Sequence, residues 1–212
     1  MSEPDPTAVD TEQWHEQLAA KRAEKDEFFE SHPQSPIPPE KREDFDGLTY
    51  FEPDPTYRVD ATVTVHDDPE VVLMDTTGGR EMRYLRVATL TFDLERGGSD
   101  ESTTADDGAA ELSEDDELES GTYDLAAYQL ESPNDEPLFV PMRDKTTGQQ
   151  TYQGGRYMEL SPDRELDDGD EIVLDLNLAY TPFCAYSDTF DCPLPPEENW
   201  LEVAIPAGER FE

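Results

Sequence analysis

The 212-residue chain carries 53 acidic and only 15 basic side chains, a formal net charge of −38. Its hydrophobic residues amount to 34%, and even with the 12 glycines added they stay below the ~45–50% apolar share of ordinary globular domains. Nucleic acid is a poor partner for such a chain, because neutralising phosphates takes clustered Lys and Arg. No run approaches the ~18 consecutive apolar residues of a membrane span, so no membrane partner is expected. The first 30 residues lack a cationic start before an apolar core, so a secretory signal is not expected either; a soluble, cytoplasmic protein is.

Acidic residues occur in nearly every segment, while lysine is confined to Lys21, Lys25, Lys41 and Lys145. That even spread points to a cytoplasm of molar salt, where the Debye length falls to ~3 Å and carboxylates keep the surface hydrated. The competing reading is an acidic face that binds a basic partner.

Residues 1–10 read as a polar tail, and residues 11–56 as a helix followed by a proline-rich connector. Asp10 and Gln13 form a capping-box pattern, Trp14 and Leu18 share a helical face, and His32-Pro33 ends the helix. From residue 57 the hydrophobic period changes from 3.6 to 2. Val59, Ala61, Val63 and Val65 alternate with polar neighbours, the signature of a half-buried strand. Further strands are predicted over 71–75, 82–94, 123–130, 138–142, 151–160, 172–178 and 201–205. The fold class is therefore all-β, a sandwich or barrel of about eight mainly antiparallel strands over 57–212, with an N-terminal α-helix. Within it, residues 99–120 hold ten acidic groups, no basic one and two leucines. Such a stretch buries too little to offset its ordering entropy, so a disordered insertion is expected.

Several ordered motifs lie in the last third. They include Phe139-Val140-Pro141-Met142-Arg143-Asp144-Lys145-Thr146-Thr147-Gly148 and Thr151-Tyr152-Gln153-Gly154-Gly155-Arg156-Tyr157. Leu174 to Tyr186, Cys192-Pro193-Leu194-Pro195-Pro196-Glu197-Glu198-Asn199 and Ile205-Pro206-Ala207-Gly208-Glu209 follow, and Phe45 to Phe51 adds an earlier match. Together these resemble the uncharacterised prokaryotic family of domain of unknown function 1684, over about residues 12–210. Met142, Leu176 and Thr181 depart from the family pattern, as does the acidic insertion. The resemblance implies a shared fold and carries no established activity.

Read as chemistry, Asp144-x-Thr-Thr147-Gly is turn-forming, with side chains that bond the backbone and a glycine for positive φ. Asp144 at a strand's exit could equally pair with Arg156, either as a buried bridge or as a fixed fork for a ligand's carboxylate or phosphate. Tyr152 and Tyr157 flank Gly154-Gly155, where a backbone can approach closely. Asp175 and Asn177 share the polar face of a predicted strand, facing solvent in a sandwich or a cavity in a barrel, with Tyr180 and Tyr186 nearby. Three consecutive strands carrying Asp144, Arg156 and Asp175 are expected to form one meander, covered by a proline-bracketed loop over 181–196. In that loop Cys184 and Cys192 read as structural, since their spacing is not that of a zinc site and no metal is expected. The three histidines are isolated, which leaves no partner for a His-based nucleophile. Arg80, Arg83 and Arg86 are expected to pair with neighbouring acids.

The functional reading is a small-ligand-binding β domain with a small anionic ligand as candidate partner and no cofactor. Its ligand-binding candidates are Asp144, Thr147, Tyr152, Arg156, Tyr157, Asp175, Asn177, Tyr180 and Tyr186. The alternatives are an enzyme acting on a small anionic substrate through Asp144, Arg156, Tyr157 and Asp175, and a structural or interaction module.

Overall fold

A computed structural model describes residues 11–94, 120–131 and 137–211. The expected tail over 1–10, with the cap Asp10, and nearly all of the acidic insertion lie outside the described residues. The helix α1 (Thr11–Ser31) buries Trp14, Leu18 and Phe29 along one stripe. Its apolar stripe is narrow, so polar contacts share in holding it to the rest of the chain. Trp14 Nε1 donates to Asp175 Oδ2 at 2.7 Å, and Asp26 Oδ1 accepts from Leu48 N at 3.0 Å. Phe29 at the helix end meets the rings of Phe45, Phe183 and Tyr186, 5.0–5.9 Å between centroids. A stack of this kind adds edge and face attraction to plain burial.

Six strands follow: β1 (Arg58–Asp75), β2 (Glu81–Leu94), β3 (Gly121–Leu130), β4 (Leu138–Met142), β5 (Arg156–Leu160) and β6 (Glu171–Asp175). They form one antiparallel sheet in the order β5-β4-β3-β2-β1-β6. The mostly-β expectation with an N-terminal helix holds. Among the described residues the strands number six rather than about eight, and the physical reasons are local. The segments 57–65 and 71–75 are one strand, β1, continuous through a register shift between Val65 and Glu70. Pro69 in that irregularity has no N–H to give the ladder. Of the segment 151–160 only β5 is strand, because Gly155 turns the chain with φ +90°; a Cβ there would lie 2.7 Å from Met142 O. Residues 201–205 bury Leu201, Val203, Ala204 and Ile205 in near-continuous succession. Leu201 N bonds Arg143 O at 2.8 Å and Val203 O accepts from Lys145 N at 3.0 Å, without building a ladder.

The main core lies against Ala61, Val63, Leu90, Phe92, Leu125, Val140 and Leu174. A second cluster joins Met74, Tyr84, Ala126 and Tyr128. The shift between Arg86 and Ala88 separates the two, since a bulge re-aims the side chains on either side of it. At β3–β4, where a single residue pair stays in register, the buried Asn199 serves as a splint. Its amide accepts from Ala126 N (2.8 Å) and donates to Ala126 O (2.9 Å) and Pro141 O (2.7 Å).

The expected three-strand meander is corrected by the strand order. β4 and β5 are neighbours, but β6 pairs with β1 at the opposite edge. The segment after β6 nevertheless reaches β5: Tyr157 N donates to Tyr180 O and Tyr180 N to Tyr157 O, both at 2.9 Å. The sheet thus curls until the chain that follows β6 meets β5 at one bridge.

Candidate functional site

Where the curled edges meet they leave a groove of about 660 Å³, roofed by α1. Leu18, Lys21, Arg22 and Lys25 of the helix line it, residues spaced so that they share one face. Opposite them stand Tyr157–Leu160 of β5, Val173 and Asp175 of β6, and the turn through Asn177 and Tyr180. Phe183, Phe190 and Cys192 come from the 181–196 loop, and Tyr50 and Glu209 complete the wall. The loop is anchored on the β1–β2 turn by Leu194 N to Asp75 O (2.6 Å), Thr77 N to Cys192 O (3.0 Å) and Gly78 N to Asp191 Oδ1 (2.6 Å).

Three cations face three carboxylates here, a neutral patch in a strongly negative chain. Each carboxylate already has donors. Asp175 ends β6 and accepts from Trp14 Nε1 (2.7 Å) and from Asn177 N and Nδ2 (3.0 Å each), with Arg58 Nε at 4.0 Å. Glu209 takes Thr181 N at 2.8 Å and the Lys25 ammonium, and Glu159 accepts from the Tyr180 hydroxyl at 2.9 Å. Burial lowers the Lys25 pKa while Glu209 works against that fall. The Lys25 ammonium also lies 4.6 Å from the Tyr180 ring centroid, a cation–π position. Burial raises the Tyr157 and Tyr180 phenols, so both remain protonated donors; the Tyr157 hydroxyl donates a hydrogen bond to Pro193 O.

Of the candidates read from sequence, Tyr157, Asp175, Asn177 and Tyr180 come together in this groove, and the others do not line it. Asp175 and Asn177 are buried rather than on a solvent-facing strand, because the strand stops at Asp175. Leu176–Leu178 form a 3-10 turn that Asp175 caps. Asn177 spends its amide on Asp54, accepting from its N at 3.0 Å and donating to its O at 2.9 Å.

Arg156 lies inside the core at 1% exposure. It donates to Asp144 Oδ2 at 2.7 Å, Ile205 O at 2.9 Å and Ala207 O, a buried clamp on the C-terminal segment. Asp144 also accepts from Thr146 N at 2.8 Å, and Thr147 Oγ1 accepts from Asp144 N at 3.1 Å, the turn chemistry expected. Tyr152 and Tyr186 both pack on Phe211. Cys184 and Cys192 are free thiols. Donation from Cys192, Thr77 and Tyr152 holds the Cys184 thiol down to about 7 and keeps Cys192 protonated. Arg80, Arg83 and Arg86 pair with Asp191, Glu131, and Glu70 with Glu198, as expected.

The helix cations Lys21, Arg22 and Lys25 are groove residues that motif reading passes over, and Tyr50, though inside the Phe45–Phe51 match, is not among the site candidates. The signal for them was present: three cations within five residues of a chain that has 15 in all.

No functionally curated protein matches the chain. A solution NMR structure of an uncharacterised protein from Haloarcula marismortui is 58% identical and superposes with a TM-score of 0.68. That match covers 95% of this chain and 96% of the other. The family model described as "Protein of unknown function (DUF1684)" matches residues 43–116 and 97–210, and the chain belongs to that family.

Proposed function

We propose that the protein is a small-ligand-binding β domain of a salt-adapted cytoplasm, and that its ligand occupies the groove under α1. The observation that carries this reading is the groove itself, about 660 Å³ with mainly apolar and aromatic walls and a few convergent polar groups. Those are the size and lining of sites that enclose small molecules. The sheet reads as a barrel that closes at the Tyr157–Tyr180 bridge and stays open beside it, so the ligand seat is the unclosed part of the seam. Binding is favoured over turnover because Asp175 and Glu209 are already held by donors, which leaves neither free to move a proton. Salt adaptation is supported by the even spread of carboxylates and by the halophilic source of the Haloarcula relative. No helix among the described residues is long and apolar enough to cross a membrane.

The test is a thermal-shift screen in molar KCl with amphipathic acids, alcohols and amines, run on the native chain and on Val173→Trp. Val173 is exposed at the groove wall, so a large ring there fills the groove while sparing the core. Stabilising compounds whose effect vanishes in Val173→Trp are expected. Stabilisation unchanged in that variant, or none at all, would overturn the reading.

A further inference from the structure

Two donors in the groove wall meet no acceptor among the described residues: Arg22 Nε and the Tyr50 hydroxyl, both buried at the atom. A buried polar atom without a partner costs stability and calls for an explanation in the native state. The two belong to one unit, since the Arg22 guanidinium carbon lies 4.3 Å from the Tyr50 ring centroid. One end of the guanidinium is fixed by Nη2 donating to Phe51 O at 3.2 Å. That leaves the Nε edge as a planar donor beside a phenol that burial keeps protonated. Lys21, exposed at the rim, adds a third cationic donor.

From this geometry we infer that the ligand of the groove is an amphipathic oxyanion, whose carboxylate or phosphate head docks on Arg22 and Tyr50. Its apolar body lies along Met158, Leu160, Phe183 and Phe190. The inference rests on the ligand-binding reading above and assigns that ligand's chemistry. An arginine edge and a hydroxyl suit two oxygens of one planar or tetrahedral anion. The carboxylates nearest Arg22 do not take this place. Glu209 is neutralised by Lys25, Asp175 is held by Trp14, Asn177 and Arg58, and Glu52 is exposed to water. Arg22 is partly exposed, so a side-chain torsion that releases Phe51 O turns its buried Nε edge toward an entering head. The three cations balance the three carboxylates in net charge only, with Arg22 itself in no ion pair among the described residues, so the groove does not repel an anion as the remaining surface does.

The experiment is calorimetric titration in molar KCl of decanoate, decyl phosphate, decanol and inorganic phosphate against the native chain, Arg22→Leu, Tyr50→Phe and Val173→Trp. Hydrogen bonds to a charged group predict that Arg22→Leu weakens decanoate and decyl phosphate about 10- to 100-fold, with decanol unchanged within about threefold. Tyr50→Phe, which deletes one oxygen atom, weakens the two anions about fivefold. The better binder of the two anions identifies the head. Equal affinity for decanol and decanoate, or anion affinities indifferent to Arg22→Leu and Tyr50→Phe, would overturn the head assignment while binding lost in Val173→Trp keeps the groove. Inorganic phosphate binding as tightly as decyl phosphate would overturn the apolar body. No binding by any probe would overturn both this inference and the reading beneath it.

Discussion

Replacing Arg156 with methionine removes the charge at the centre of the core clamp while keeping a similar stem. Both partners of the ion pair lie out of water, with side-chain exposures of 1% and 0%, so solvent does not screen their interaction. Losing one partner strands the other as an uncompensated buried charge, a cost of about 3–5 kcal/mol. Arg156→Met also orphans the carbonyl of Ala207 and takes from Ile205 O one of its two donors, the other being Ala207 N, while Asp144→Asn weakens the acceptor of Thr146 N, so each single variant belongs at the upper end of that range. The double variant strands no charge and should fall well short of the sum, with a coupling energy of about 2–3 kcal/mol. Urea unfolding in molar KCl, followed by tryptophan fluorescence, reads this directly. With m near ~2 kcal/mol/M, each single variant lowers the midpoint by about 2 M. Additive single costs, or an Arg156→Met cost below about 1 kcal/mol, would refute the clamp and return Arg156 to the role of a surface-type pair.

Dilution from molar salt to ~0.1 M lengthens the Debye length from ~3 to ~10 Å and lets the excess carboxylates repel, so the melting temperature should fall. Equal melting temperatures at the two salt levels would argue for an acidic docking face instead. At Cys184, iodoacetamide alkylation followed by peptide mass spectrometry should rise with pH around a midpoint near about 7, and Cys192→Ala should move that midpoint upward. The folded value lies below the ordinary 9.0, so the stability it contributes is complete above about pH 9 and is lost as pH falls through about 7. A midpoint near 9.0 in the native chain would exclude the donor arrangement around Cys184.

Periodicity made the elements legible. Trp14 and Leu18 four apart, and Ala61 with Val63 two apart, placed the helix and β1 from their neighbours alone. Strand order was not legible, because β6 joins β1 across more than a hundred residues and no local pattern marks that pairing. The Asp144–Arg156 pair could be read as a pair, but its place could not. The carbonyls that hold Arg156 inside belong to Ile205 and Ala207, whose own segment looked like a strand. Asp175 and Asn177 were assigned to a polar face by a parity that ends with the strand. In the 3-10 turn that follows, burial no longer alternates, and Asn177 turns inward to bond Asp54.

The distribution of positive charge carried more information than the motifs did. In a chain this acidic a cation finds a carboxylate almost anywhere, so pairing by itself marks nothing: Arg80, Arg83, Arg86 and Arg164 are held by exposed or half-buried acids and tie surface segments together. What distinguishes α1 is the reverse arrangement. Its face brings Lys21, Arg22 and Lys25 to one groove, and there only Lys25 forms an ion pair among the described residues. Arg22 instead uses a backbone carbonyl and an aromatic ring, neither of which cancels its charge. Salt adaptation accounts for the carboxylates but gives no reason to keep an uncancelled guanidinium half-sheltered beside a buried phenol. The oxyanion proposed for the groove would.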